Sequence, residues 1–291
     1  MGINLISYSI YLIIFIFGLA VGSFLNCIIY RLQTDESFLI KRSYCPDCKK
    51  TLSWPDLIPL LSFLFLKGKC RYCQRPISLQ YPLVELATGI FFIFITFQWL
   101  NGHLVNWLNF FYFLFVISVL IVIFVSDLRY YIIPDKVIYP AIGVTFIYRL
   151  LEIWNQSIKL LVLCSAEHPN LFECSGLGFG IFRPLINPFL SAALASAFFL
   201  AIILISRGRW MGWGDVKLAF FMGLLLGFPN ILIALFLAFF FGAIMGIGLI
   251  IIGKKTLKSE IPFGPFLVAG TFIALFWGNS LISWYSDLFL A

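Results

Sequence analysis

Charge is what this chain has least of. Asp, Glu, Lys and Arg make up 11% of its 291 residues, whereas a soluble domain carries ~25%. There is no Lys or Arg before Arg31, so the first apolar run lacks the basic n-region of a cleavable signal peptide. There is no soluble-type repeat and no low-complexity tract. No Gly-rich nucleotide loop appears either, and no Gly-x-Gly-x-x-Gly run marks a dinucleotide-type fold. What fills the space is apolar: 62% of the residues are hydrophobic, with 34 Phe. A soluble core cannot hide that much apolar surface, so the composition predicts an all-α polytopic membrane protein. The net charge of +7 then reads as topology, since Lys and Arg gather on the cytoplasmic side. Nucleic acid is not expected as a partner; the lipid bilayer is.

A span needs about 20 apolar residues. Eight segments qualify: about 8–30, 83–99, 107–126, 136–151, 188–206, 216–228, 230–252 and 264–283. The sixth is short, and Gly227-Phe228-Pro229-Asn230 reads as a turn or as the kink of one helix. With both termini outside, only Arg149, Lys159 and Arg183 of the 20 basic residues miss the cytoplasmic side. Glycines inside spans, such as Gly18 and Gly22, read as close helix contacts.

The 31–82 segment is the one sizeable cytoplasmic loop in this topology. It carries Cys45-Pro46-Asp47-Cys48 and Cys70-Arg71-Tyr72-Cys73. Two CxxC pairs at this spacing predict a four-thiolate zinc site; two disulfides or a redox motif are the competing readings. Asp47 is read as a turn residue. The 152–187 segment is the longest loop on the opposite side. There Cys164 and Cys174 either form a disulfide or stay as two thiols. Cys27, within the first span, is read as packing.

Against this background two acidic residues stand out. Asp127 ends the run Phe110 to Val125, and Asp215 sits in Gly212-Trp213-Gly214-Asp215 between two apolar runs. An aspartate at a bilayer centre costs roughly 2.5–3.5 kcal/mol on insertion scales, which marks each as a functional candidate. Capping a helix at the water interface is the alternative for either one alone. The topology puts both on one face. Asp135 is explained by N-capping, Lys217 by an interfacial position, and Gly212 and Gly214 by close backbone approach.

These motifs occur together in one family. The chain resembles the type IV prepilin peptidases over nearly its whole length. The resemblance is carried by Gly22-Ser23-Phe24-Leu25-Asn26, Tyr30-Arg31-Leu32, the two CxxC pairs and Asp56-Leu57-Ile58-Pro59-Leu60-Leu61-Ser62. It continues through Tyr81-Pro82-Leu83-Val84-Glu85, Asp127 to Pro134-Asp135, the GxGD box at 212–215 and Ile261-Pro262-Phe263-Gly264-Pro265-Phe266. The 152–187 segment departs from the pattern by its length.

The resemblance implies a bifunctional enzyme in the cytoplasmic (inner) membrane of a bacterium. It would cut prepilins or pseudopilins after Gly at the cytoplasmic face, then methylate the new N-terminal amine with S-adenosylmethionine. It implies a first transmembrane helix at 1–30, a zinc-binding, methyltransferase-associated domain at 31–82, and a membrane aspartic peptidase domain at 83–291 with an extracytoplasmic insertion at 152–187. The catalytic pair would be Asp127 and Asp215, supported by Gly212, Gly214, Lys217, Pro134, Asp135, Pro262 and Gly264. The zinc ligands would be Cys45, Cys48, Cys70 and Cys73. Glu85, Asp135 and Glu260 are candidate contacts for a basic leader. A peptidase without methyl transfer, a proton- or cation-coupled transporter and a non-enzymatic scaffold are the rival readings.

Overall fold

The structure, a computed structural model, describes residues 5–34, 42–102, 106–167, 178–253 and 261–290. Glu260 and Cys174 lie outside them, and with them the leader contact and the disulfide expected there. The described residues are helical apart from turns and two isolated bridges. Helices α1 (Leu5–Thr34), α2 (Leu61–Phe65) and α3 (Gln80–Leu100) are followed by α4 (Trp107–Tyr130), α5 (Asp135–Glu167) and α6 (Gly178–Ser206). Then come α7 (Trp213–Leu226), α8 (Asn230–Ile251) and α9 (Gly264–Leu290). Seven of these are long and apolar enough to cross a membrane. The eighth expected span, 216–228, is the 14-residue α7. At 1.5 Å per residue it is about 21 Å long, short of the ~30 Å hydrocarbon core.

The chain divides into two compact units, Met1–Val125 and Ser126–Ala291, with the boundary inside α4. In the first, α1 crosses α3 at two glycines. A Cβ on Gly18 would fall 2.8 Å from the Gly89 Cα, and one on Gly22 would fall 2.6 Å from the Glu85 Cα. In a bilayer, where apolar side chains gain nothing by leaving lipid, such backbone approach is what holds helices together.

In the second unit, α7 packs on α6, α5, α8 and α9, and a Cβ on Gly223 would collide with the Ala192 backbone of α6. Phe221, Met222 and Leu224 of α7 are fully buried. The far end of α7 is closed by side chains from other helices. Arg149 of α5 donates from Nε to the Leu224 carbonyl at 2.9 Å, and from Nη2 to the Leu225 carbonyl. Its Nη1 holds Glu152 at 2.6 Å. A cation there complements the negative end of the helix dipole and satisfies carbonyls the helix cannot. Asn187 pairs with both backbone groups of Phe228, so Gly227–Asn230 is a built turn between two helices rather than a kink in one.

The 152–187 segment differs from the loop expected there. Helix α5 runs on to Glu167, carrying Cys164, and α6 already begins at Gly178. At 33 residues, α5 is about 50 Å long and outreaches a bilayer core.

Candidate active site

Asp127 lies near the end of α4 and Asp215 in the first turn of α7. Both are buried, at 6% and 9% exposure. Asp127 is near enough to act electrostatically on Asp215. Each carboxylate also closes a helix N-terminus. Asp215 Oδ2 accepts the Gly212 N–H at 3.3 Å, the third helical residue reaching back to the N-cap. Asp127 Oδ2 accepts the Gly264 N–H at 2.8 Å, at the start of α9. Capping and pairing are therefore both present, and neither excludes the other.

The glycines divide by role. A Cβ on Gly264 would sit 2.6 Å from Asp127 Oδ2, so nothing larger fits between α9 and the carboxylate. A Cβ on Gly214 would meet the Ile133 Cβ at 3.0 Å, which packs the GxGD turn onto the segment after Asp127. Gly212 is different. Its φ of −88° suits any residue, and a Cβ there would meet only Gly214 N at 3.9 Å. It is exposed on an open side of the site.

The remaining predicted residues hold the rim. Pro134 precedes α5 and accepts the Val137 and Ile138 N–H groups. Asp135 opens α5 and pairs with Lys217 Nζ at 2.6 Å, tying α5 to α7; Lys217 also lies 4.9 Å from the Tyr139 ring. Pro262 sits two residues before Gly264, in the turn whose Phe263 ring packs at a tilt against Phe199, Phe239 and Phe266. Gly264 itself came from the motif alone, and only the fold shows what its missing side chain is for.

The first unit carries a second constellation. Cys45, Cys48, Cys70 and Cys73 place their sulfurs within 4.8 Å of one another, with Cys45 Sγ 3.9 Å from Cys73 Sγ. Tetrahedral zinc with ~2.3 Å bonds needs sulfurs about 3.8 Å apart, so the cluster can hold a metal ion. The two turns repeat each other. Lys49 N–H donates to the Cys45 carbonyl and Gln74 N–H to the Cys70 carbonyl, and Lys49 and Gln74 share a φ of 58°. Burial raises the Cys70 thiol, but the backbone N–H groups of Cys73 and Tyr72 together with the Cys73 and Cys45 side chains bring it down to about 7.

Asp47 joins the two turns through Arg75 at 2.8 Å. Asp56 accepts from the Ser53 backbone and hydroxyl and pairs with Arg71 at 2.7 Å. Glu85 is not offered to a leader peptide: it is buried, and its Oε2 takes the Leu60 N–H at 2.8 Å. Asn26, also buried, donates to the Tyr81 carbonyl at 3.0 Å and ties α1 to the start of α3.

The model of the bacterial peptidase A24 N-terminal domain matches residues 16–99, and that of the type IV leader peptidase family matches residues 169–247. A prepilin leader peptidase/N-methyltransferase of Aeromonas hydrophila is 30% identical over 96% of this chain and 94% of its own. One of Bacillus subtilis (strain 168) is 30% identical over 96% and 98%, and one of Legionella pneumophila is 32% identical over 96% and 95%. No solved structure matches the chain.

Proposed function

The chain belongs to the prepilin leader peptidase/N-methyltransferase family, and from that premise we propose that Asp127 and Asp215 cut the leader of prepilins or pseudopilins, whose new N-terminus the same protein then methylates. The observation that carries the reading is the buried pair of carboxylates, each fixed by a helix N-terminus. Two buried carboxyls within electrostatic reach of each other favour sharing one proton. The ionised one takes a proton from water as its oxygen attacks the scissile carbonyl carbon. The protonated one donates to the carbonyl oxygen. When the tetrahedral intermediate collapses, the carbon–nitrogen bond breaks and the proton taken from water passes to the leaving amine. The pair acts as one titrating unit.

Cleavage frees an amine. When bound, S-adenosylmethionine would supply an electrophilic methyl group to the neutral nitrogen and leave as S-adenosylhomocysteine, the new ammonium releasing its proton to water. Zinc held by Cys45, Cys48, Cys70 and Cys73 is structural in this reading, because four thiolates leave no open coordination position. The site would face the cytoplasm of a bacterial inner membrane, on the side where the 31–82, 127–136 and 207–217 segments carry their Lys and Arg residues.

Incubating the purified protein with a prepilin and S-adenosylmethionine tests both activities by mass spectrometry of the product. The expected product has lost its leader and gained one methyl group at the new N-terminus. A leader left intact would contradict the peptidase reading; a cut but unmethylated product would reduce it to the peptidase alone.

A further inference from the structure

The first unit holds a cavity of about 390 Å³ that peptide hydrolysis does not use. Ser23, Cys27 and Arg31 line it from α1, Arg42 from the segment before the first cysteine turn, and Leu57 and Pro59 from the turn before α2. Ser23, Cys27 and Arg31 recur every four residues and so share one helix face. Arg31 is only 3% exposed, and its Nη2 donates to the Arg42 carbonyl at 3.2 Å, fixing the guanidinium at the cavity wall.

Every wall is anchored from behind. Glu85 holds the Pro59–Leu60 turn through the Leu60 N–H and also takes a hydrogen bond from Ser23. Asp56 holds the turn containing Leu57 through Ser53 and Arg71. Asn26 holds α1 to Tyr81. A cavity whose lining is fixed this way is preorganised for a ligand, since little ordering remains to oppose binding.

We propose that this cavity binds the methyl donor, with the carboxylate of its amino-acid end on Arg31 and its adenine against Leu57 and Pro59. The inference rests on the methyltransferase reading above. Two parts of that molecule find matching chemistry in the lining. A guanidinium presents a planar fork of donors that suits a carboxylate. Leu57 and Pro59 give an apolar surface for a flat heterocycle. No Gly-rich phosphate loop is needed, because S-adenosylmethionine has no phosphate. The family motifs Gly22 to Asn26, Tyr30 to Leu32 and Asp56 to Ser62, scattered in sequence, converge on this one place.

The test uses the full chain in phosphatidylcholine nanodiscs with S-adenosylhomocysteine as the probe. Binding is measured by equilibrium dialysis. Alkylation of Cys27 by N-ethylmaleimide is followed by peptide mass spectrometry. Saturating probe should slow Cys27 alkylation at least tenfold. Ala20→Phe, placed on the exposed edge of the cavity, should weaken binding at least tenfold, with metal content and thermal unfolding confirming its fold. Binding unchanged in Ala20→Phe, or Cys27 alkylated at the same rate in saturated protein, overturns the site. Equal protection by inorganic phosphate or by phosphatidylglycerol nanodiscs would overturn the ligand in favour of a phosphate. No binding of the probe to the wild-type chain would sink the methyl-donor reading itself, while leaving the peptidase reading standing.

Discussion

A single hydrogen atom on Gly264 decides whether Asp127 keeps its partner. The Gly264 N–H reaches the carboxylate at 2.8 Å, and a methyl group in place of that hydrogen would overlap the same oxygen. Gly264→Ala is therefore expected to displace the carboxylate and slow leader cleavage on the order of 100-fold, the cost of a misplacement near 1 Å. Initial rates in nanodiscs, with membrane insertion checked by immunoblot, measure it. Lys217 gives the opposite expectation. Its pair with Asp135 is solvated, with side chains 26% and 59% exposed. Lys217→Ala should leave cleavage within about fivefold, matching the ~1 kcal/mol upper end for exposed ion pairs.

The two aspartates were legible in the sequence because a charge in an apolar chain is costly wherever it is not needed. Gly212 and Gly264 were named from the family motifs, but not the hydrogen bonds they make. Gly264 lies 137 residues from Asp127, and Arg149 looked like a topological misfit until it met the α7 carbonyls.

At the scale of elements, α7 is where the sequence reading and the structure part most. Hydropathy marks 216–228 as a span, yet the helix is Trp213–Leu226 and is finished at both ends by side chains: Asp215 at its first turn, Arg149 at its last. Apolar content records what a helix is buried among and cannot tell lipid from other helices; α7 is apolar because α5, α6, α8 and α9 surround it. The cysteine turns were more readable, since CxxC spacing fixes a local turn directly. They carry their own expectation. The purified protein should contain one zinc per chain by elemental analysis. Replacing Cys45 and Cys73 with Ser should lower methylation more than cleavage, because the cluster lies in the first unit and both aspartates lie in the second. Equal loss of the two activities would mean that the cluster supports the whole protein rather than one part.

At the scale of the molecule, one family-model match falls in each unit: residues 16–99 with the cysteines and the Arg31 cavity, residues 169–247 with Asp215. Positive-inside counting assigned a common face to Asp127 and Asp215, and the fold puts them within electrostatic reach of each other. Their distance along the chain hid only the route by which they meet. If they work as one proton-sharing unit, losing either should cost as much as losing both. The direct measurement is leader cleavage by Asp127→Asn, Asp215→Asn and the double variant, each inserted at wild-type level. Each single variant is predicted to lose at least about 1000-fold, within the range of general acid–base catalysis, and the double variant no more. Multiplying losses, or near-normal cleavage by either single variant, would contradict the account.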